Sequence, residues 1–64
     1  MNMSKEMQLL KSELEFCKSL IKLYDNLKFI DKSNKYNNII EYYQNELTQV
    51  CKRIQELKEE EKYV

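Results

Sequence analysis

No glycine and no proline occur anywhere in the 64 residues, and that absence restricts the fold more than anything the chain contains. Tight β-hairpins need residues that accept positive φ, phosphate-cradling loops need the close backbone approach of glycine, and flexible or collagen-like segments need one or both. Hydrophobic residues nevertheless make up 42% of the chain, so there is apolar surface to bury but few means of turning sharply. Helices packed on one another are the architecture left open.

The spacing of the apolar residues points the same way. Met3, Met7, Leu10, Leu14, Cys17, Ile21 and Tyr24 follow one another at alternating steps of four and three, the seam of an amphipathic helix. A second stripe runs beside it through Leu9, Phe16, Leu20, Leu23, Leu27 and Ile30. Together the two make a wider apolar face than a two-stranded coiled coil requires. The alternation resumes without a break through Tyr36, Ile40, Tyr43, Leu47, Val50, Ile54 and Leu57. Ile39, Tyr42 and Cys51 lie beside this second seam, with Lys52, Arg53, Glu56 and Lys58 toward solvent. Between the two runs, Asp31, Lys32, Ser33, Asn34, Lys35, Asn37 and Asn38 form a polar stretch relieved only by Tyr36, and the heptad phase does not carry across it.

The expected fold is therefore all-α, an antiparallel two-helix hairpin of coiled-coil type and one domain over residues 1–64. Helix 1 is expected over about 4–31, a polar turn over about 32–35 and helix 2 over about 36–61. The alternative, one continuous helix of about 60 residues and roughly 90 Å, would need an unbroken phase. Ser4 is placed to cap the first helix, with Glu6 favourable in its first turn. Ser33 or Asn34 suits the cap of the second, and Asn34 also tolerates the left-handed geometry that ends the first. A capping box of Asn38 with Glu41 would start helix 2 later. Glu59, Glu60 and Glu61 oppose the helix dipole, so the end of the chain, to Tyr63 and Val64, is expected to fray. A turn near Asn34 sets residue i against residue 68 − i: Cys17 against Cys51, Leu14 against Ile54, Ile21 against Leu47, Tyr24 near Tyr43 and Leu10 near Leu57.

A chain this short buries only about 60% of its unfolded surface and is marginal alone. A hairpin covers one face of each helix and leaves Phe16, Leu20, Leu23, Leu27 and Ile30, with Ile39 and Tyr42, partly exposed. Burying four such side chains contributes roughly 6–12 kcal/mol before association costs. Two hairpins docked by these stripes would form a four-helix bundle with helices near 20°, so a homodimer is expected. The rival occupant of the stripe is a different protein. Four tyrosines, Tyr24, Tyr36, Tyr42 and Tyr43, gather toward the loop end with Phe29 and Ile30. Phe29, Ile39 and Tyr42, lying off the main seam, suit a partner-facing patch.

The residues that carry chemistry are sparse. Histidine is absent, so neither Ser nor Cys has its usual base, and Glu13 and Glu15 point to different helix faces. No catalytic residue, cofactor site or metal ligand is expected; two cysteines without a C-x-x-C pair or histidine fall short of a zinc set. Cys17 and Cys51 could be joined across the hairpin if their α-carbons lie within about 7 Å. The expected state is instead two buried, reduced thiols, because no secretory signal is apparent: the run from Met7 to Leu10 is interrupted by Gln8 and followed by Lys11 and Glu13. No stretch approaches the roughly 18–20 apolar residues of a membrane span. A cytoplasmic protein follows as the expectation.

Eleven basic residues balance eleven acidic ones, which gives no general attraction to nucleic acid or anionic membranes. Lys11, Lys18 and Lys22 share a helix face, but Glu15 and Asp25 lie on it too, and Arg53 is the single arginine. Nucleic-acid binding is accordingly not expected. Abundant Asn, Lys, Ile and Tyr without alanine is the composition of an AT-rich genome, such as a low-GC bacterium or one of its phages.

In size and two-helix plan the chain resembles the small aspartyl-phosphate phosphatases of the bacterial sporulation relay, whose second helix carries Ser-Gln-Glu-Leu-Asp. The nearest run here is Gln44-Asn45-Glu46-Leu47-Thr48. Agreement is confined to Glu46 and Leu47, with Thr48 where that family has Asp, and we do not assign the chain to it. A phosphorelay phosphatase and a nucleic-acid-binding regulator are thus the lesser readings. The expected function is a non-enzymatic interaction module, a regulator, inhibitor or adaptor that binds another protein through its apolar helix face. The alternative is a purely structural homo-oligomerisation module.

Overall fold

The structure is a computed structural model that describes residues 4–61. It consists of two helices, α1 (Lys5–Asp31) and α2 (Asn37–Glu61), packed along each other as a hairpin. Met3 of the expected seam, and the expected fraying of Lys62, Tyr63 and Val64, lie outside the described residues. The molecule is a rod of 50 × 17 × 12 Å with a radius of gyration of 15.0 Å, against about 11 Å for a compact chain of this length.

Ser4 starts α1 as a cap, its hydroxyl accepting from the Met7 N–H at 3.1 Å while Glu6 sits in the first turn. At the other end Lys32 takes φ 53° and ψ 38°, and its N–H closes back on the Lys28 carbonyl at 2.8 Å. This is the left-handed helix stop that glycine usually supplies. The left-handed residue is thus Lys32 and not Asn34. Ser33 does not cap α2 either: its hydroxyl accepts from Lys35 N–H, the Asn34 carbonyl accepts from Asn37 N–H, and α2 begins at Asn37.

The chain reverses by folding back over the last turn of α1. Tyr36 donates its hydroxyl to Asp31 Oδ2 at 2.9 Å, Lys35 pairs with the same carboxylate at 3.6 Å, and the Tyr36 ring lies 5.9 Å from that of Tyr24. The reflection about Asn34 holds along the middle of the seam, where Ile21 and Leu47 line one groove and Leu10 and Leu14 pack on the cluster that contains Ile54 and Leu57, and is corrected toward the two ends. Tyr24 meets Tyr36 rather than Tyr43, whose ring packs edge-on against Tyr42, and Glu6 reaches Arg53 at 2.8 Å.

The core is one narrow seam. Met7, Cys17, Ile40, Val50, Ile54 and Leu57 are buried, and Leu10 and Leu14 pack against the cluster of Met7, Val50, Ile54 and Leu57. The expected seam is occupied throughout, since Ile21, Tyr24, Tyr36, Tyr43 and Leu47 are all half-buried. Cys51, expected in the core, is exposed. On a helical projection it falls about 90° from the centre of the buried arc of α2, which leans toward Ile39, Glu46 and Arg53 instead.

Two substitutions test this account by urea denaturation. Lys32→Gly relieves a left-handed backbone without touching the core and should raise stability by up to about 1 kcal/mol. Ile54→Ala empties the middle of the cluster and should lower it by about 2–4 kcal/mol.

Candidate interaction surface

The seam that holds the hairpin uses only part of the apolar surface of α1. Leu9, Phe16, Leu23 and Ile30 recur every seven residues and keep 50–72% of their surface exposed, while Leu20 and Leu27 are half-buried between them and α2. A step of seven is nearly two helical turns, so these four side chains form a line along one edge of the rod, about 30 Å long. Phe29 is 83% exposed, on the other side of α1 from that line, and Tyr42 is exposed at the loop end of α2 beside the half-buried Ile39. The structure therefore brings Phe16, Leu20, Leu23, Leu27 and Ile30 onto one continuous face and leaves Phe29 apart from it. Leu9 extends the face by two turns and belongs with it, on the same heptad signal.

Polar neighbours mark the limits of this surface. Beyond Tyr42 the half-buried side of α2 carries Glu46 and Arg53. Arg53 gathers three carboxylates, Glu6 at 2.8 Å, Glu56 at 3.2 Å and Glu60 at 3.5 Å. These bonds, Glu6 and Glu56 first, raise its pKa further. The Glu6 contact is the ion pair that ties the open ends of the two helices together, and its exposure keeps its contribution small.

The opposite side of α1 carries the lysine face. Lys18 pairs with Glu15 at 3.8 Å, and Lys18, Lys22 and Asp25 line a shallow groove of about 380 Å³ floored by Ile21 and Leu47. Mixed charge over a shallow floor is the pattern of a solvated surface. In the Gln44–Thr48 run, Thr48 spends its hydroxyl on the Gln44 carbonyl at 3.0 Å while Glu46 and Leu47 are half-buried. Among the described residues no group of three Cys, Asp or Glu side chains is placed to hold a metal ion, and no helix is long and apolar enough to cross a membrane.

Both cysteines are free, Cys17 buried and Cys51 exposed. They lie on opposite edges of the seam, which is why facing positions in the sequence do not become a bonded pair. Burial pushes the Cys17 thiol up, and the nearby Glu13 and Glu46 carboxylates add to the shift. No protein-family model matches the chain, and no curated protein or solved structure matches it either.

Thiol labelling separates the two sulfurs. Cys51 should react promptly with a maleimide near neutral pH and Cys17 only after denaturant is added, as read by mass spectrometry of the digested protein. The folded pKa of Cys17 lies above the unfolded one, so its protonated form stabilises the fold. That contribution should be lost as pH rises past the ordinary thiol value of about 8.5. Cys17→Val should flatten that alkaline decline.

Proposed function

We propose that the chain is a non-enzymatic protein-interaction module, a regulator, inhibitor or adaptor that works by docking the apolar face of α1 on another helical surface. The observation behind this reading is the line Leu9, Phe16, Leu23 and Ile30, half or more exposed at heptad spacing on a helix whose other apolar seam is already filled. Heptad spacing matters because it is the repeat by which one helix inserts side chains between those of another. Scattered surface leucines would not carry the same meaning. Self-association through this face, two hairpins making a four-helix bundle, is part of the proposal. On this reading the exposed Phe29 and Tyr42 remain for a further protein partner.

A second reading, an oligomerisation module with no other partner, is favoured by the surface area. The chain exposes 5406 Å², where a compact monomer of 7.9 kDa would expose about 4400 Å². The surplus of about 1000 Å² matches the roughly 800 Å² per partner of a standard interface.

Leu23→Glu tests the reading. The side chain is exposed, so the hairpin should keep its helicity and its stability within about 0.5 kcal/mol. A charge placed in the buried face should weaken association at least about 100-fold by light scattering. Association unchanged by the substitution would remove the face from the function.

A further inference from the structure

We propose that the face of α1 is covered by the same face of a second copy running antiparallel, with the two-fold axis crossing α1 between Ser19 and Leu20. This rests on the reading of that face as an interaction surface and names its occupant and its register.

The spacing of the exposed residues is symmetric about that point. Leu9 and Ile30 stand equally far from it, and so do Phe16 and Leu23. An antiparallel copy therefore sets Leu9 on Ile30 of the other copy and Phe16 on Leu23, each contact occurring twice, as a closed two-fold interface requires. Small residues fall where room is needed. The same reflection puts Ser12 at the height of Leu27 and Ser19 at the height of Leu20, so each of these layers combines a leucine from one helix with a small hydroxymethyl group from the other, and large with small in a layer is how facing helices fill the space between them.

Charge selects the same arrangement. From Gln8 to Ile30 a sector of roughly 120° around this line carries no charged residue, although 34% of the chain is charged. A second copy thus brings no like charges into the contact. The ends of the rod differ in sign. At the open end Glu6, Glu56, Glu59, Glu60 and Glu61 outnumber Lys5, Arg53 and Lys58 among the described residues. At the loop end Lys28, Lys32 and Lys35 outnumber Asp31. Antiparallel stacking lays each acidic end along a basic one, whereas hairpins with both loops at one end would juxtapose like ends. The latter arrangement would also seat the apolar line of α1 on the α2 side that carries Glu46 and Arg53. The surplus surface of about 1000 Å² per chain is the area such an interface uses.

The test uses the native chain. An equimolar mixture of ¹³C-labelled and unlabelled protein, examined by isotope-filtered NOE spectroscopy, should give intermolecular cross-peaks from the Phe16 ring to Leu23 methyls and from Leu9 to Ile30 methyls. Within one chain these pairs stand about 10 and 30 Å apart along the helix, out of reach. Peaks from Phe16 to Phe16 of the other copy, or to α2 of the other copy, overturn the antiparallel register. If those peaks vanish in Leu23→Glu, the interaction face itself stands. A chain that stays monomeric at millimolar concentration overturns the second copy as the occupant. An association that Leu23→Glu leaves intact overturns the face as well. Cross-linking gives an independent readout in a Cys17→Ala, Cys51→Ser background whose helicity is first checked by circular dichroism. Leu20→Cys should oxidise to a dimer alone, Phe16→Cys should not, and Phe16→Cys mixed with Leu23→Cys should. Dimer formation by Phe16→Cys alone, at the rate seen for Leu20→Cys, contradicts the register.

Discussion

A hairpin of two helices can bury only one seam, and everything else about this molecule depends on how little that seam holds. The buried side chains form a single file from Met7 and Leu57 at the open end to Ile40 near the loop, with no second layer behind it. Each helix turns the rest of its circumference to water. On α2 that circumference is mostly polar, and a helix with one apolar stripe is satisfied by one neighbour. On α1 it is not, because a second apolar face continues around the helix from the seam, through Leu20 and Leu27 at about 100° to the exposed line of Leu9, Phe16, Leu23 and Ile30 at about 130°. Two apolar faces so placed are what a helix carries when it has two neighbours, as in a four-helix bundle.

The polar features of the hairpin serve orientation more than stability. The Glu6–Arg53 pair joins the open ends, and the contacts of Tyr36 and Lys35 with Asp31 fix the reversal at the other end. The four charged groups keep 39–62% of their side-chain surface exposed, so screening limits what each pair contributes. The unbalanced charges around them, Glu56 and Glu59–Glu61 at the open end and Lys28 and Lys32 at the loop, leave one end of the rod acidic and the other basic. A field of that kind does little for a lone hairpin and has its effect on how a second body approaches it.

The helices and their seams were legible in the residues because the 4–3 alternation is a long and regular signal, and the absence of glycine and proline left few competing folds. The exposed stripe was legible for the same reason, as what remained after the seam was assigned. The register was legible along the middle of the seam, where Ile21 meets Leu47, and not at the reversal. A reflection about the middle of the polar stretch assumes a symmetric turn, whereas Lys32 adopts the left-handed stop and Tyr36 folds back to Tyr24 and Asp31. No local pattern announces a lysine in that conformation, since asparagine two residues later was the better intrinsic candidate. The fate of Cys51 followed from the same gap: beside the seam in sequence, it sits on the edge away from which the buried arc of α2 leans. Ser12 and Ser19 carried no signal of their own and acquire meaning only once Leu20 and Leu27 are seen half-covered beside them.

The central claim is that α1 is built for two neighbours and the chain alone supplies one. The solution mass across a concentration series, measured by light scattering in the presence of reductant, tests it most directly. The account predicts a species of about twice 7.9 kDa at micromolar concentration that dissociates on dilution without a disulfide being involved. A mass of 7.9 kDa at every concentration would contradict it.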